Sequence, residues 1–189
     1  IAIRPTQRKD RKMLEIGQQA PDFALPGIDG QTHRLSDLLR DHRAVAVIFS
    51  CNHCPYVRAW EGRMIDLQRE YAERGVALVA LNPNDDVRYP DDSFEAMKQR
   101  AQEQGFNFRY LRDESQEVAR AYGAERTPHV YLLDSSGVLR FRGAIDDNYE
   151  QPEAVQHTYL RDAIEAVLAG QTPPVETTPA VGCTIKWRE

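Results

Sequence analysis

Cysteine is scarce in this chain, with three residues in 189. That excludes a small secreted scaffold stapled by several disulfides. No apolar run approaches the ~18–20 residues that a membrane-spanning helix needs, and residues 1–12, IAIRPTQRKDRK, lack the apolar stretch of a signal peptide. Excess positive charge is missing too: the chain carries a net charge of −5, which argues against a nucleic-acid-binding surface. There is no internal repeat and no long linker, so one domain with a full hydrophobic core is expected.

What basic clustering exists lies at the start. Arg4, Arg8, Lys9, Arg11 and Lys12 face only Asp10 there, and Met13 reads as a translation start. Residues 1–12 are expected to be a flexible, solvated arm, residues 13–172 the domain and residues 173–189 a tail.

Two segments, Ala44-Val-Ala-Val-Ile-Phe-Ser50 and Val76-Ala-Leu-Val-Ala-Leu-Asn82, are unbroken apolar runs, as in strands buried on both faces. Between them Val57, Trp60, Met64, Leu67 and Tyr71 recur at helical spacing, and Gly75 closes the segment. This is a β–α–β unit with parallel strands and a right-handed crossover. A helix is predicted from Asp92, with Glu95 completing a capping box and Gly105 ending it. A strand over Asn107–Leu111 and a short helix near Gln116–Tyr122 follow. His129–Asp134 and Val138–Arg142 flank Ser135-Ser136-Gly137 as a hairpin. The last helix is predicted with Pro152 in its first turn and an apolar face from Val155 to Leu168. Phe23–Leu25 and Thr32–Leu35 flank Gly27–Gly30 as a small leading hairpin. The alternation predicts an α/β fold with a central mixed sheet flanked by helices.

Two of the cysteines stand as Cys51-Asn52-His53-Cys54-Pro55, after a buried strand and before a helix. A helix N-terminus offers unpaired N–H groups and a positive dipole end, and both favour thiolate over thiol. The two-residue gap lets one sulfur reach the other, and Pro55 suits a first helical turn, where its missing N–H costs little. His53 could add an imidazolium beside the Cys51 thiolate, which would make the disulfide more oxidising than the reducing end of the known range; the alternative is an exposed loop residue. The other reading of Cys-x-x-Cys is half of a structural zinc site, but no second closely spaced ligand pair is present. His33, His42, His129, His157 and Cys183 are scattered singly. Thr127-Pro128 precedes a predicted strand. A cis bond there would expose backbone groups able to hold an extended substrate peptide, whereas a trans bond would be a plain strand entry.

These pieces together resemble the thioredoxin-like redoxins, peroxiredoxin-like proteins of the alkyl hydroperoxide reductase and thiol-specific antioxidant superfamily. The matching residues are Ala20-Pro-Asp-Phe23, Asp29-Gly30, Phe49-Ser50-Cys51-Asn-His-Cys54-Pro55, Thr127-Pro128 and Leu133-Asp134-x-x-Gly137. Gly182-Cys183-Thr-Ile-Lys-Trp187 is similar to a tail in a subgroup with the same Cys-Asn-His-Cys-Pro core. The resemblance implies a thioredoxin fold with a leading β-hairpin and an inserted βα segment. It also implies Cys51 as attacking thiol, Cys54 as resolving thiol and Pro128 as a cis-proline. The chain departs from true peroxiredoxins, whose pattern is Pro-x-x-x-Thr/Ser-x-x-Cys. Counting back from Cys51 meets Ile48 and Ala44, and counting back from Cys54 meets Cys51 and Val47.

The function expected first is thiol–disulfide exchange through Cys51 and Cys54, with Thr127, Arg126 and Asn52 as candidate substrate contacts. It requires no metal or organic cofactor. Its substrates would be protein or small-molecule disulfides, and its donor a thiol system of the thioredoxin or glutathione kind, in the cytoplasm. A thiol peroxidase is the alternative, with Arg126 near a peroxide oxygen. A third reading is a metal-binding or redox-sensing module in which Cys51 and Cys54, with His129 or Cys183, hold copper(I) or zinc. Cys183 is either a third redox thiol brought over the site by the tail or a small apolar side chain beside Ile185 and Trp187.

Overall fold

The computed structural model describes residues 12–189, so the arm expected over 1–12 falls, apart from Lys12, outside the described residues. The chain opens with the short hairpin β1 (Ala24–Pro26) and β2 (Thr32–Arg34), followed by α1 (Leu35–Asp41). The two apolar runs are β3 (Ala44–Phe49) and β4 (Val76–Asn82), joined by α2 (Pro55–Tyr71). Next come α3 (Phe94–Gln104), β5 (Arg109–Arg112) and α4 (Glu117–Tyr122). A two-residue strand β6 (Arg126–Thr127) leads into the hairpin β7 (His129–Asp134) and β8 (Leu139–Gly143). Helix α5 (Tyr159–Leu168) follows, and a second two-residue strand, β9 (Cys183–Thr184), lies in the tail.

The main sheet runs β5-β4-β3-β7-β8, with β3, β4 and β5 parallel, β7 antiparallel to β3 and β8 antiparallel to β7. Because strand side chains alternate faces, each central strand serves two cores at once. Ala46, Ile48, Leu78, Ala80 and Leu132 pack under α2, α3 and α5, which contribute Trp60, Met64, Met97, Leu160 and Ile164. Val47, Phe49, Val79, Leu81 and Tyr131 pack on the opposite side under Leu35 and Leu38 of α1, Ala119 and Tyr122 of α4, and the leading hairpin. Full burial on both faces explains the absence of polar alternation in these strands. The result is the thioredoxin-type mixed sheet between helical layers, with α3, β5 and α4 inserted between β4 and β7. No helix among the described residues is long and apolar enough to cross a membrane.

Two local expectations differ from the structure, and two elements carry no signal in the sequence. Helix α3 is capped by Ser93, whose Oγ accepts from the Ala96 N–H at 3.1 Å, rather than by Asp92. Asp92 instead ends a 3-10 turn, Pro90–Asp92, and points inward. The last helix starts at Tyr159, not near Pro152. Asp147 accepts from the Gln156 N–H and donates its own N–H to the His157 carbonyl, which holds that stretch against the loop before it. The seven-residue α1 has too few apolar positions to read as periodic. The β6–β9 pair joins segments 56 residues apart along the chain at Arg126 and Gly182, a spacing no local pattern reports. The tail is therefore part of the folded domain's surface rather than an appendage.

Candidate active site

Strand β3 ends at Phe49, and Ser50 continues its line by donating to the Leu81 carbonyl at 2.8 Å. The next residues turn from the sheet into α2, which begins at Pro55 with Cys54 as N-cap. Proline at the first helical position leaves no N–H to satisfy there, so the free donors of the first turn are those that follow. Both cysteines sit in the interior: Cys51 is 2% exposed and Cys54 is 0% exposed. They pack with Val57, Tyr56 and Cys183 in a small apolar cluster. The Thr127–Pro128 bond is cis, and Thr127 brackets the pair, its Oγ1 3.3 Å from Cys51 Sγ and its carbonyl oxygen 3.4 Å from Cys54 Sγ.

The two thiols have opposite electrostatic settings. The Cys51 thiol, the Cys183 thiol, and the backbone N–H groups of Val57 and Cys183 all favour an anion on Cys54. They bring it down to about 5, against burial, which works the other way. Cys51 is pushed well up: the hydrogen bond it gives to that anion holds its proton, burial adds to this, and the charge of Asp92 adds again. The charge is thus favoured on Cys54, chiefly through the hydrogen bond that Cys51 gives it.

Asp92 is the residue that sequence patterns missed. It is 0% exposed. Its Oδ1 accepts from the Asn52 backbone N–H at 2.7 Å and from Asn82 Nδ2 at 3.1 Å, and its Oδ2 accepts from Asn84 Nδ2 at 2.9 Å. Tyr110 joins the same network, donating to Asn52 Oδ1 at 2.7 Å. Buried carboxylates are tolerated only with such satisfaction. The available signal was the run Asn82-Pro-Asn84-Asp85 at the carboxyl end of β4, the edge where open α/β sheets build their sites.

His53 turns toward this carboxylate. Its Nδ1 lies 2.7 Å from Asp92 Oδ2, an ion-pair contact whose angle falls outside hydrogen-bond geometry, and its ring stacks on Tyr89 at 5.9 Å. An imidazolium there is countered by Asp92, so the expected one-sided stabilisation of a Cys51 thiolate does not follow. Donor atoms of Cys51, His53 and Asp92 lie within 4.8 Å of one another. The Asp92 oxygens are already committed to three N–H donors, so the trio reads as a polar network.

Other expected contacts are placed differently. Asn52, proposed to meet substrate, is buried, and its polar groups serve Asp92, Tyr110, the Asp91 carbonyl and Arg58 Nε. Arg126 is exposed and donates to the Gly182 carbonyl at 3.0 Å, so it holds the tail, with its charge near Cys183. His129, offered as a soft-metal ligand, is buried next to Tyr131 on β7, and burial, with the nearby Arg142, lowers it to about 4. Cys183 does not pack beside Ile185 and Trp187, which join the opposite core; its Sγ lies 2.7 Å from Cys54 Sγ.

Known proteins are similar to this chain at several distances. An uncharacterized conserved protein from Geobacillus kaustophilus superposes with a TM-score of 0.87 at 41% identity, covering 94% of each chain. A hypothetical protein from Sinorhizobium meliloti 1021 gives 0.87 at 35% identity over 94% of this chain and 97% of that one. The thiol-disulfide oxidoreductase ResA of Oceanobacillus iheyensis is 28% identical over 92% of this chain and 81% of its own length. The family model described as AhpC/TSA matches residues 16–142, from the leading hairpin through the dithiol and the cis-proline loop to β8. The chain belongs to the AhpC/TSA family.

Proposed function

We propose that this protein is a thiol–disulfide oxidoreductase that works through Cys51 and Cys54. The observation that carries the reading is the pair of sulfurs at the start of α2, facing Thr127 and Pro128, with the anion favoured on the helix-capping Cys54. The position of Cys183 Sγ, 2.7 Å from Cys54 Sγ on a strand paired with β6, marks where a substrate sulfur would stand. An extended substrate segment that took the place of β9 on β6 would be held by main-chain hydrogen bonds.

In the reducing direction, the Cys54 thiolate attacks one sulfur of a substrate disulfide and expels the other as thiolate. Cys51 then gives up its proton and attacks Cys54 Sγ, releasing the first substrate sulfur and leaving a Cys51–Cys54 disulfide. This differs from the roles implied by the family resemblance: the Cys51 thiol gives its hydrogen bond to Cys54, and burial and the charge of Asp92 add to holding the Cys51 proton. The reverse sequence oxidises a dithiol. Substrates are protein or small-molecule disulfides, and a thiol donor of the thioredoxin or glutathione kind restores the dithiol. Three cysteines, two of them spaced for exchange, fit a reducing compartment, the cytoplasm in this proposal.

The test is reduction of a small-molecule disulfide by the purified protein with a thiol donor, alongside consumption of hydrogen peroxide. Loss of disulfide reduction in both Cys51→Ser and Cys54→Ser, with slow peroxide consumption in the wild type, supports the reading. Rapid peroxide consumption that survives Cys51→Ser would move the assignment to a peroxidase.

A further inference from the structure

The tail is fastened over the dithiol by specific contacts. Strand β9 pairs antiparallel with β6, placing Cys183 opposite Thr127. The Ile185 N–H donates to the Glu125 carbonyl at 3.0 Å, and Gln116 Nε2 donates to the Lys186 carbonyl at 2.9 Å. Gly182 presses on the Thr127 carbonyl so closely that a Cβ there would overlap it. Under this cover neither Cys51 nor Cys54 reaches solvent, while Cys183 is partly exposed. An external thiol that must touch a sulfur of the oxidised protein therefore meets Cys183 first.

We propose that Cys183 is a third exchange thiol that passes the disulfide from the buried Cys51–Cys54 pair to the surface, where a small or protein thiol reduces it. This rests on the exchange reading of Cys51 and Cys54. In the transfer step the Cys183 sulfur, giving up its proton, attacks Cys54 Sγ. The Cys54–Cys183 bond forms and the Cys51–Cys54 bond breaks. The electron pair leaves on Cys51, which takes a proton, so no net oxidation or reduction occurs. An external thiolate then attacks the exposed Cys183 Sγ and forms a mixed disulfide. Cys54 departs as the thiolate that the end of α2 stabilises, and a good leaving group speeds such exchange. A second external thiol attacks the mixed disulfide, giving an oxidised donor pair and a fully reduced protein.

The proposed exchange requires a sulfur at position 183, whereas the fold does not. The contacts of the tail backbone fix β9 whether or not residue 183 is cysteine, so Cys183→Ser and Cys183→Ala leave the strand in place, as retained hydrogen-exchange protection of the Ile185 N–H would verify. The first measurement is disulfide mapping by mass spectrometry of the Cys51→Ser variant after treatment with oxidised glutathione. A Cys54–Cys183 linkage is expected. The second is the rate at which reduced glutathione restores the oxidised protein. Cys183→Ser and Cys183→Ala should both be slower than wild type by about tenfold or more. A Cys51→Ser protein that holds only glutathione on Cys54, or Cys183 variants re-reduced at the wild-type rate, would each overturn the proposal. The exchange reading fails on a different result, disulfide reduction by Cys54→Ser at the wild-type rate.

Discussion

The two sides of the dithiol, three residues apart, are built from opposite materials. On the Cys54 side stand the end of α2 and thiol and N–H donors, all of which favour negative charge. On the Cys51 side stand the hydrogen bond it gives to Cys54, a buried setting and a fully buried carboxylate, Asp92, with Thr127 Oγ1 beside the sulfur. The difference teaches that Cys-x-x-Cys spacing sets the distance between two sulfurs, whereas the surrounding elements decide which one carries the charge. Thiol and N–H donors act on Cys54, and the Cys54 hydrogen bond, burial and the charge of Asp92 act on Cys51.

The comparison breaks most visibly at the sulfurs themselves. Cys54→Ser is expected to lower disulfide reduction by about 100-fold or more, because the attacking anion disappears. Steady-state assay of the variant checks this. Asp92→Asn comes next. The amide would turn an NH2 toward one of the donors that Asp92 now satisfies, costing about 1–3 kcal/mol in chemical denaturation. It would also remove the negative charge near Cys51, so Cys51 should be alkylated at lower pH than in the wild type. Stability lost without that shift would mean that Asp92 acts only on the fold. Arg126→Ala should have the smallest effect, within about 0.5 kcal/mol of stability and less than about twofold in exchange rate, since its guanidinium is exposed, donates to the Gly182 carbonyl and acts on Cys183 through charge alone. A much larger fall in rate would restore Arg126 as a substrate contact.

Much of the architecture was legible because burial on both faces leaves an unmistakable pattern. Val45–Phe49 and Ala77–Leu81 carry no polar residue, and Gly75, Gly105 and Gly123 adopt the left-handed conformation that ends a helix or turn. The Cys51–Cys54 pair was legible for the same reason: its place between a buried strand and an amphipathic helix is a local property. Asp92 was hidden because an aspartate before a helix reads as a cap, and only the tertiary fold shows that Ser93 caps while Asp92 turns inward. The position of Cys183 was hidden because β9 depends on pairing with a distant two-residue strand. Asn52 and Arg126 misled for a complementary reason: proximity in sequence to the cysteines or to Pro128 says nothing about which way a polar side chain faces.

The most direct test is a pH titration of thiolate ultraviolet absorbance in the reduced wild type, Cys51→Ser and Cys54→Ser. The wild type should gain one thiolate with a midpoint at about 5, so that absorbance, and alkylation with it, falls as pH drops through that value. A thiolate step should remain in Cys51→Ser, moved upward because the Cys51 thiol no longer donates to Cys54, and vanish in Cys54→Ser. A step that vanishes in Cys51→Ser and persists in Cys54→Ser would contradict the account, placing the reactive anion on the sulfur beside Asp92.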